Sequence, residues 1–228
     1  MSWIEELALK RNAQISNVYL CETLDPKRIS QFKQLLKSGD FGRLCRTEYD
    51  RILEYDLQRG IVFDLETGKK LNLNPPLSPL HALDLILRGK AVVVVIWYVF
   101  REAEAQTISN WLIAWSHDEE LYEHKSTVVI FTSSVDLFEE GVRRFVHTIS
   151  IAPPTPEERL AFLEEKAKEL SKAYENAYGE TVKIRVTDEL VRASEGLTLH
   201  DIEVACLESF FLYRDFKASV FKKASQQK

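Results

Sequence analysis

Glycine, cysteine and methionine are scarce in this chain, at 8, 3 and 1 among 228 residues. Cys21, Cys45 and Cys206 have no metal-ligand spacing, and an odd number argues against a disulfide framework. No run reaches the roughly 18 uninterrupted apolar residues of a membrane span. The Met1-Ser-Trp-Ile-Glu-Glu start lacks the basic-then-apolar order of a signal peptide, so the expectation is a cytoplasmic protein. Positive charge is not in surplus either. A formal net charge of −5 disfavours nonspecific attraction to nucleic acid or to anionic membranes. His81, His117, His124, His147 and His200 are scattered, and no cysteine or paired carboxylate completes a metal site around them. No G-x-S-x-G elbow is present. The phosphate-binding sequence G-x-x-x-x-G-K-[S/T] is absent as well.

What is there can build a core: 45% of residues are apolar and 11% aromatic. The pattern predicts strands near 15–21, 43–46, 91–97, 126–132 and 146–151, alternating with helices. Ala91-Val-Val-Val-Val-Ile-Trp97 is nearly continuous in apolar character, as suits a central parallel strand covered on both faces. Val18, Leu20, Val93, Val95, Val129, Phe131 and Ile149 are the expected core. Gly60–Leu65 and Leu71–Leu73 around Glu66-Thr67-Gly68-Lys69 read as a β-hairpin stopped by Pro75-Pro76. After Pro153-Pro154 the pattern turns all-helical, over 155–176, 187–195 and 198–214. The expected division is an α/β core over 1–153 with its hairpin insertion near 60–73, a helical part over 154–216, and a polar tail or truncated linker over 217–228. Alternating strands and helices imply a three-layer α/β sandwich.

The ends of the first, third and fourth predicted strands carry the informative residues. Val18-Tyr-Leu-Cys21 enters the turn Glu22-Thr23-Leu24-Asp25-Pro26-Lys27-Arg28. That turn has no glycine to wrap a phosphate closely, and it offers two carboxylates where phosphate oxygens would sit. Asp25-Pro26 instead reads as a helix start, with Asp25 capping its own helix. After Val92–Val95 no Asp-Glu pair follows, and Glu102 and Glu104 come several residues later on a helix. Strand 126–132 ends at Ser133, then come Arg143-Arg144-Phe145, Pro153-Pro-Thr-Pro-Glu-Glu-Arg159 and Gly196-Leu-Thr-Leu-His-Asp201.

That order resembles the sensor strand, arginine-finger region and helical lid of the AAA family of ATPases. More narrowly, it is similar to the P-loop-less AAA-like module found at the N-terminus of certain archaeal and plastid-encoded AAA proteins. Tyr-Leu-Cys-Glu-Thr-Leu-Asp-Pro at the P-loop position, Pro-Thr-Pro-Glu-Glu-Arg and Gly-Leu-Thr-Leu carry the likeness.

The resemblance implies a parallel five-stranded sheet followed by a small helical lid, with strand 15–21 between strands 126–132 and 146–151. It makes Glu22, Thr23, Asp25 and Lys27 a degenerate P-loop, Ser133 a vestigial sensor, and Gly196 and Asp201 the lid turn. From the residues themselves, and with no phosphate partner, Ser133 reads better as a turn residue capping the helix at 134–140. Arg143 and Arg144 read either as surface charges or as a finger reaching a neighbour's nucleotide. The implied function is a non-catalytic module for assembly, regulation or substrate recruitment, working with an active AAA ATPase in cis or in trans and needing no cofactor. The chain would then be the N-terminal part of a longer ATPase. A divergent nucleotide binder using Lys27 and Arg28 with ATP–Mg, and an ATPase-dead clamp-loader-like subunit, are the alternatives. Without a ligand the degenerate turn should close on the 196–201 turn, with Leu24 or Leu199 filling the space.

Overall fold

The computed structural model describes residues 2–72 and 78–226. Leu73 and Pro75-Pro76, the expected end of the hairpin, lie outside the described residues. The chain divides into two compact units: Met1–Leu24 with Ile29–Ile151, and Asp25–Arg28 with Ala152–Lys228.

The first unit runs α1 (Trp3–Asn12), β1 (Val18–Glu22), α2 (Pro26–Lys37), α3 (Asp40–Leu44), β2 (Arg51–Asp56) and β3 (Ile61–Asp64). It continues through α4 (Pro79–Leu87), β4 (Val92–Val99), α5 (Glu102–Ser116), α6 (Glu119–Glu123) and β5 (Thr127–Thr132). A 3-10 turn (Val135–Leu137), α7 (Glu140–Arg143) and β6 (His147–Ser150) complete it. The first turn of α2 counts with the second unit.

The six strands lie in the order β3-β2-β4-β5-β1-β6. All neighbours are parallel except β2 and β3. β1 sits between β5 and β6, as expected. Alternate residues of the buried strands feed two layers. Val18, Leu20, Val94, Ile96, Val128 and Ile130 face α4, α5 and α6 through Leu83, Leu112 and Leu121. Val93, Val95, Val129, Phe131 and Ile149 face α1, α2 and α3 through Leu7, Phe32 and Phe41. Burial on both faces is why these strands show little polar alternation.

β4 ends in a bulge. Ile96 pairs with Ile130 and Val99 with Thr132, so β4 spends one residue more than β5 over this step. The extra residue is absorbed at Tyr98, whose φ is 50°. Trp97 and Tyr98 therefore both pack into the α1–α3 layer, while Val99 joins the opposite one.

Three expectations need correction, the first being the strand number, which is six among the described residues and not five. Residues 43–46 are not a strand: they finish α3 in a tight return, with Arg46 N–H donating to Arg43 O (3.2 Å) and Thr47 N–H to Gly42 O (3.0 Å). The second strand of the sheet is β2, which Arg51-Ile-Leu-Glu-Tyr-Asp56 builds from polar and apolar residues mixed. The hairpin is accordingly β2–β3, and the anticipated partner strand beyond Lys69 reduces to the single bridge Phe63–Lys70. A Cβ added to Gly42 would stand 2.8 Å from the Thr47 carbonyl oxygen. Gly42→Ala is expected to cost about 1 kcal/mol through forced displacement of that backbone, measurable as a lower denaturant midpoint at unchanged slope.

The second unit contains α8 (Pro156–Tyr178), α9 (Asp188–Ala193), α10 (Leu199–Tyr213) and α11 (Ala218–Gln226). Leu163, Leu190, Leu199, Ile202 and Cys206 form its core, joined by Phe216, Val220 and Phe221. Val220 and Phe221 correct the reading of residues 217–228 as a polar tail or truncated linker. Adjacent Val220 and Phe221 face inward from an otherwise polar helix, a stripe too short to stand out by periodicity. Among the described residues no helix is long and apolar enough to cross a membrane.

Candidate functional site

The turn after β1 is held by backbone and side-chain bonds to its neighbours. Thr23 N–H donates to Thr132 O (2.9 Å), and Tyr98 Oη donates to Thr23 O (3.4 Å). Glu22 is turned along the sheet, its Oε1 accepting from Val135 N–H at 3.2 Å. Leu24 does not fill space: it is 70% exposed.

The next four residues belong to the second unit. Asp25 is only 4% exposed. Its Oδ1 accepts from Lys27 N–H (3.0 Å), the expected cap on its own helix. Beyond that expectation, Oδ2 accepts from Leu199 N–H (2.8 Å) and Oδ1 from His200 N–H (3.3 Å), the first two amides of α10. The third, Asp201 N–H, goes to Thr198 Oγ1 (3.1 Å), and Asp201 Oδ2 returns a bond from Thr198 N–H (3.0 Å). The donors exposed by a helix start are thus met by two carboxylates and a hydroxyl. Gly196 precedes this cap at φ 77°, a left-handed conformation that glycine adopts at no steric cost.

The two cations of the turn are also engaged. Arg28 holds both carboxylate oxygens of Glu158 at 2.9 Å, a parallel two-bond pairing. Its guanidinium keeps Glu158 below the ordinary carboxylate range. Glu158 is also the third helical residue of α8 and accepts from Thr155 N–H (3.0 Å). Lys27 pairs with Glu203 of α10, which also meets Lys166 of α8 at 2.9 Å. Burial pushes Glu203 upward, but hydrogen bonds from Lys27 and Lys166 outweigh it and leave the group lowered.

No family model and no curated protein matches the sequence. Solved structures do resemble the fold. A FIGL-1 AAA domain in complex with ADP aligns at TM-score 0.51 and 13% identity, over 92% of this chain and 70% of that one. A Thermotoga maritima RuvB aligns at 0.50 and 11%, over 97% and 66%. PCH-2 from C. elegans aligns at 0.53 and 9%, over 99% and 66%. The fold is AAA-like.

Within this AAA-like fold the remaining sequence-selected residues are dispersed. Ser133 is half-buried and its N–H donates to Val99 O (3.2 Å). The hydroxyl that caps the following 3-10 turn belongs to Ser134, which accepts from Asp136 N–H at 3.2 Å. Arg143 pairs with Asp136 (2.6 Å) and Arg144 with Glu140 one turn earlier (2.5 Å). Glu104 caps α5, accepting from Phe100 N–H (2.9 Å) and Arg101 N–H (3.2 Å). The residues not singled out from sequence are Glu158 and Glu203. The Thr155-Pro-Glu-Glu158 capping box marks Glu158 as a helix-start carboxylate, but nothing local ties either glutamate to the Asp25–Arg28 turn.

Proposed function

We propose that this chain is a non-catalytic AAA-like module that serves assembly, regulation or substrate recruitment for an active AAA ATPase. One observation carries the reading: the turn at the phosphate-loop position spends its polar groups on its own protein. Asp25 is bonded to three backbone amides. Lys27 and Arg28, the cations a divergent nucleotide site would need, are neutralised by Glu203 and Glu158. A phosphate here would displace those pairs and meet a carboxylate instead of a nest of glycine amides. Exposed Arg144 is held only by a one-turn surface pair, an interaction contributing about 0–1 kcal/mol. It therefore remains open to an anion on a partner, which favours action in trans over action on a bound nucleotide of its own. The partner is accordingly an AAA module with an intact nucleotide site, in cis or in trans.

Calorimetric titration with ATP–Mg tests this directly. No binding tighter than about 1 mM is expected, equivalent to less than about 4 kcal/mol. A micromolar dissociation constant would replace the reading with the divergent nucleotide binder.

A further inference from the structure

α10 is apolar on two faces, and its own unit covers only one of them. Leu199, Ile202, Ala205 and Cys206 are buried in the core of the second unit. The other stripe, Val204, Leu207 and Phe211, has the i, i+3, i+7 spacing of a single helix face and stands 48%, 50% and 77% exposed. Phe211 is the most exposed large apolar side chain among the described residues. A contiguous apolar surface of this kind marks an interaction site, unlike a scatter of single exposed residues.

Charge says what covers it. Glu208, Phe211 and Arg214 line one groove of about 540 Å³, whose far wall is formed by Tyr174 and Tyr178 of α8. Arg214 ends α10 at φ 55° and folds back along the helix. Its guanidinium carbon lies 5.2 Å from the centre of the Tyr174 ring and 5.7 Å from that of Phe210. Nη1 donates to Phe211 O at 3.4 Å, so the cation is held at the end of the groove. Neither Arg214 nor Glu208 has a partner of opposite charge among the described residues. They stand about 9 Å apart along the helix axis.

The three residues are spaced i, i+3, i+6, which sets opposite charges about one turn to either side of the exposed ring. That arrangement is complementary to itself. Two α10 helices laid antiparallel across a two-fold axis at Phe211 bring residues equally distant from the axis face to face, in both halves at once. Glu208 of each copy then meets Arg214 of the other. A parallel pairing would set like charges together, and a purely apolar partner would leave both ions unmatched.

We propose that this face of α10 binds a second copy of the chain, in an antiparallel two-fold dimer centred on Phe211. The contact goes beyond the function proposed above: it shares no residue with the Asp25–Arg28 turn and needs neither a nucleotide nor a partner ATPase.

Sedimentation equilibrium of the full chain is the test. The mass should rise with concentration from 26.4 kDa toward twice that value. A dissociation constant of about 1–100 μM is expected of a small interface. Phe211→Asp, at a side chain exposed enough to leave the fold intact, should weaken dimerisation at least about tenfold. Glu208→Arg and Arg214→Glu each create two like-charged contacts across the axis, and each should weaken it about tenfold. Mixed in equal amounts, these two variants should recover a heterodimer, because every pair across the axis is again of opposite sign. Mixing would not mend a loss of local helix stability. A mass that stays at 26.4 kDa up to about 1 mM would give the face to another partner and overturn the proposal. Undiminished dimerisation in Phe211→Asp, or a mixture no more associated than its components, would overturn it as well.

Discussion

Replacing Asp25 with alanine should destabilise the second unit by about 3 kcal/mol and free the start of α10. The estimate combines a lost helix cap, about 1 kcal/mol, with two further buried donors left unmet at about 1 kcal/mol each. Leu199 and His200 donate to this carboxylate, and Lys27 N–H is the third donor. No other side chain of α10's first turn can take over, because Thr198 and Asp201 are already occupied with each other. Amide hydrogen exchange reads the effect at its source: protection at Leu199 and His200 should fall about a hundredfold. Asp25→Asn, which keeps one acceptor oxygen, should lose roughly half as much in free energy. If both amides exchange in Asp25→Ala at the rate of the unaltered chain, the carboxylate is not what holds them.

Arg28→Ala should cost about 2 kcal/mol, somewhat less than the full penalty for breaking a buried pair. The Arg28 side chain is 5% exposed, but that of Glu158 is 42% exposed, so solvent softens the loss. The pH dependence gives a second handle. Glu158 is held below the ordinary carboxylate range, first by its hydrogen bonds from Arg28. A depressed carboxylate adds stability above its unfolded pKa, and that share is lost as pH falls through the lowered folded value. The gap between the unaltered chain and Arg28→Ala should therefore narrow as pH falls below the ordinary glutamate pKa of about 4.3. A gap that stays constant over that fall would assign the loss to packing of the arginine stem.

The elements that sequence reveals here are those whose burial is the same on both faces or strictly local. β4 and β5 are apolar throughout because both faces are covered, and Ser78-Pro79, Asp118 and Thr155-Pro156 mark helix starts through their own caps. β2 escaped because Arg51, Glu54 and Asp56 interrupt its apolar residues, while the shorter Leu44-Cys45 competed for the same place. α11 escaped because two buried residues, Val220 and Phe221, are enough to anchor it. In the candidate site the lack of glycine in the 22–28 turn was plain from the sequence. The second role of Asp25 was not, since its α10 partners lie 174 and 175 residues away, and no periodicity encodes a bond of that range.

The bulge at Tyr98 bears on whether the end of β4 could present a pair of carboxylates. Because β4 gains a residue between Ile96 and Val99, side chains at 97 and 98 leave the strand on one and the same side. An Asp-Glu pair written there would drive two carboxylates into the layer where Trp97 stacks on Phe131 at 5.6 Å. An acidic pair split between the two faces of this strand end would need the deletion of one residue before any substitution, and no series of single exchanges supplies that.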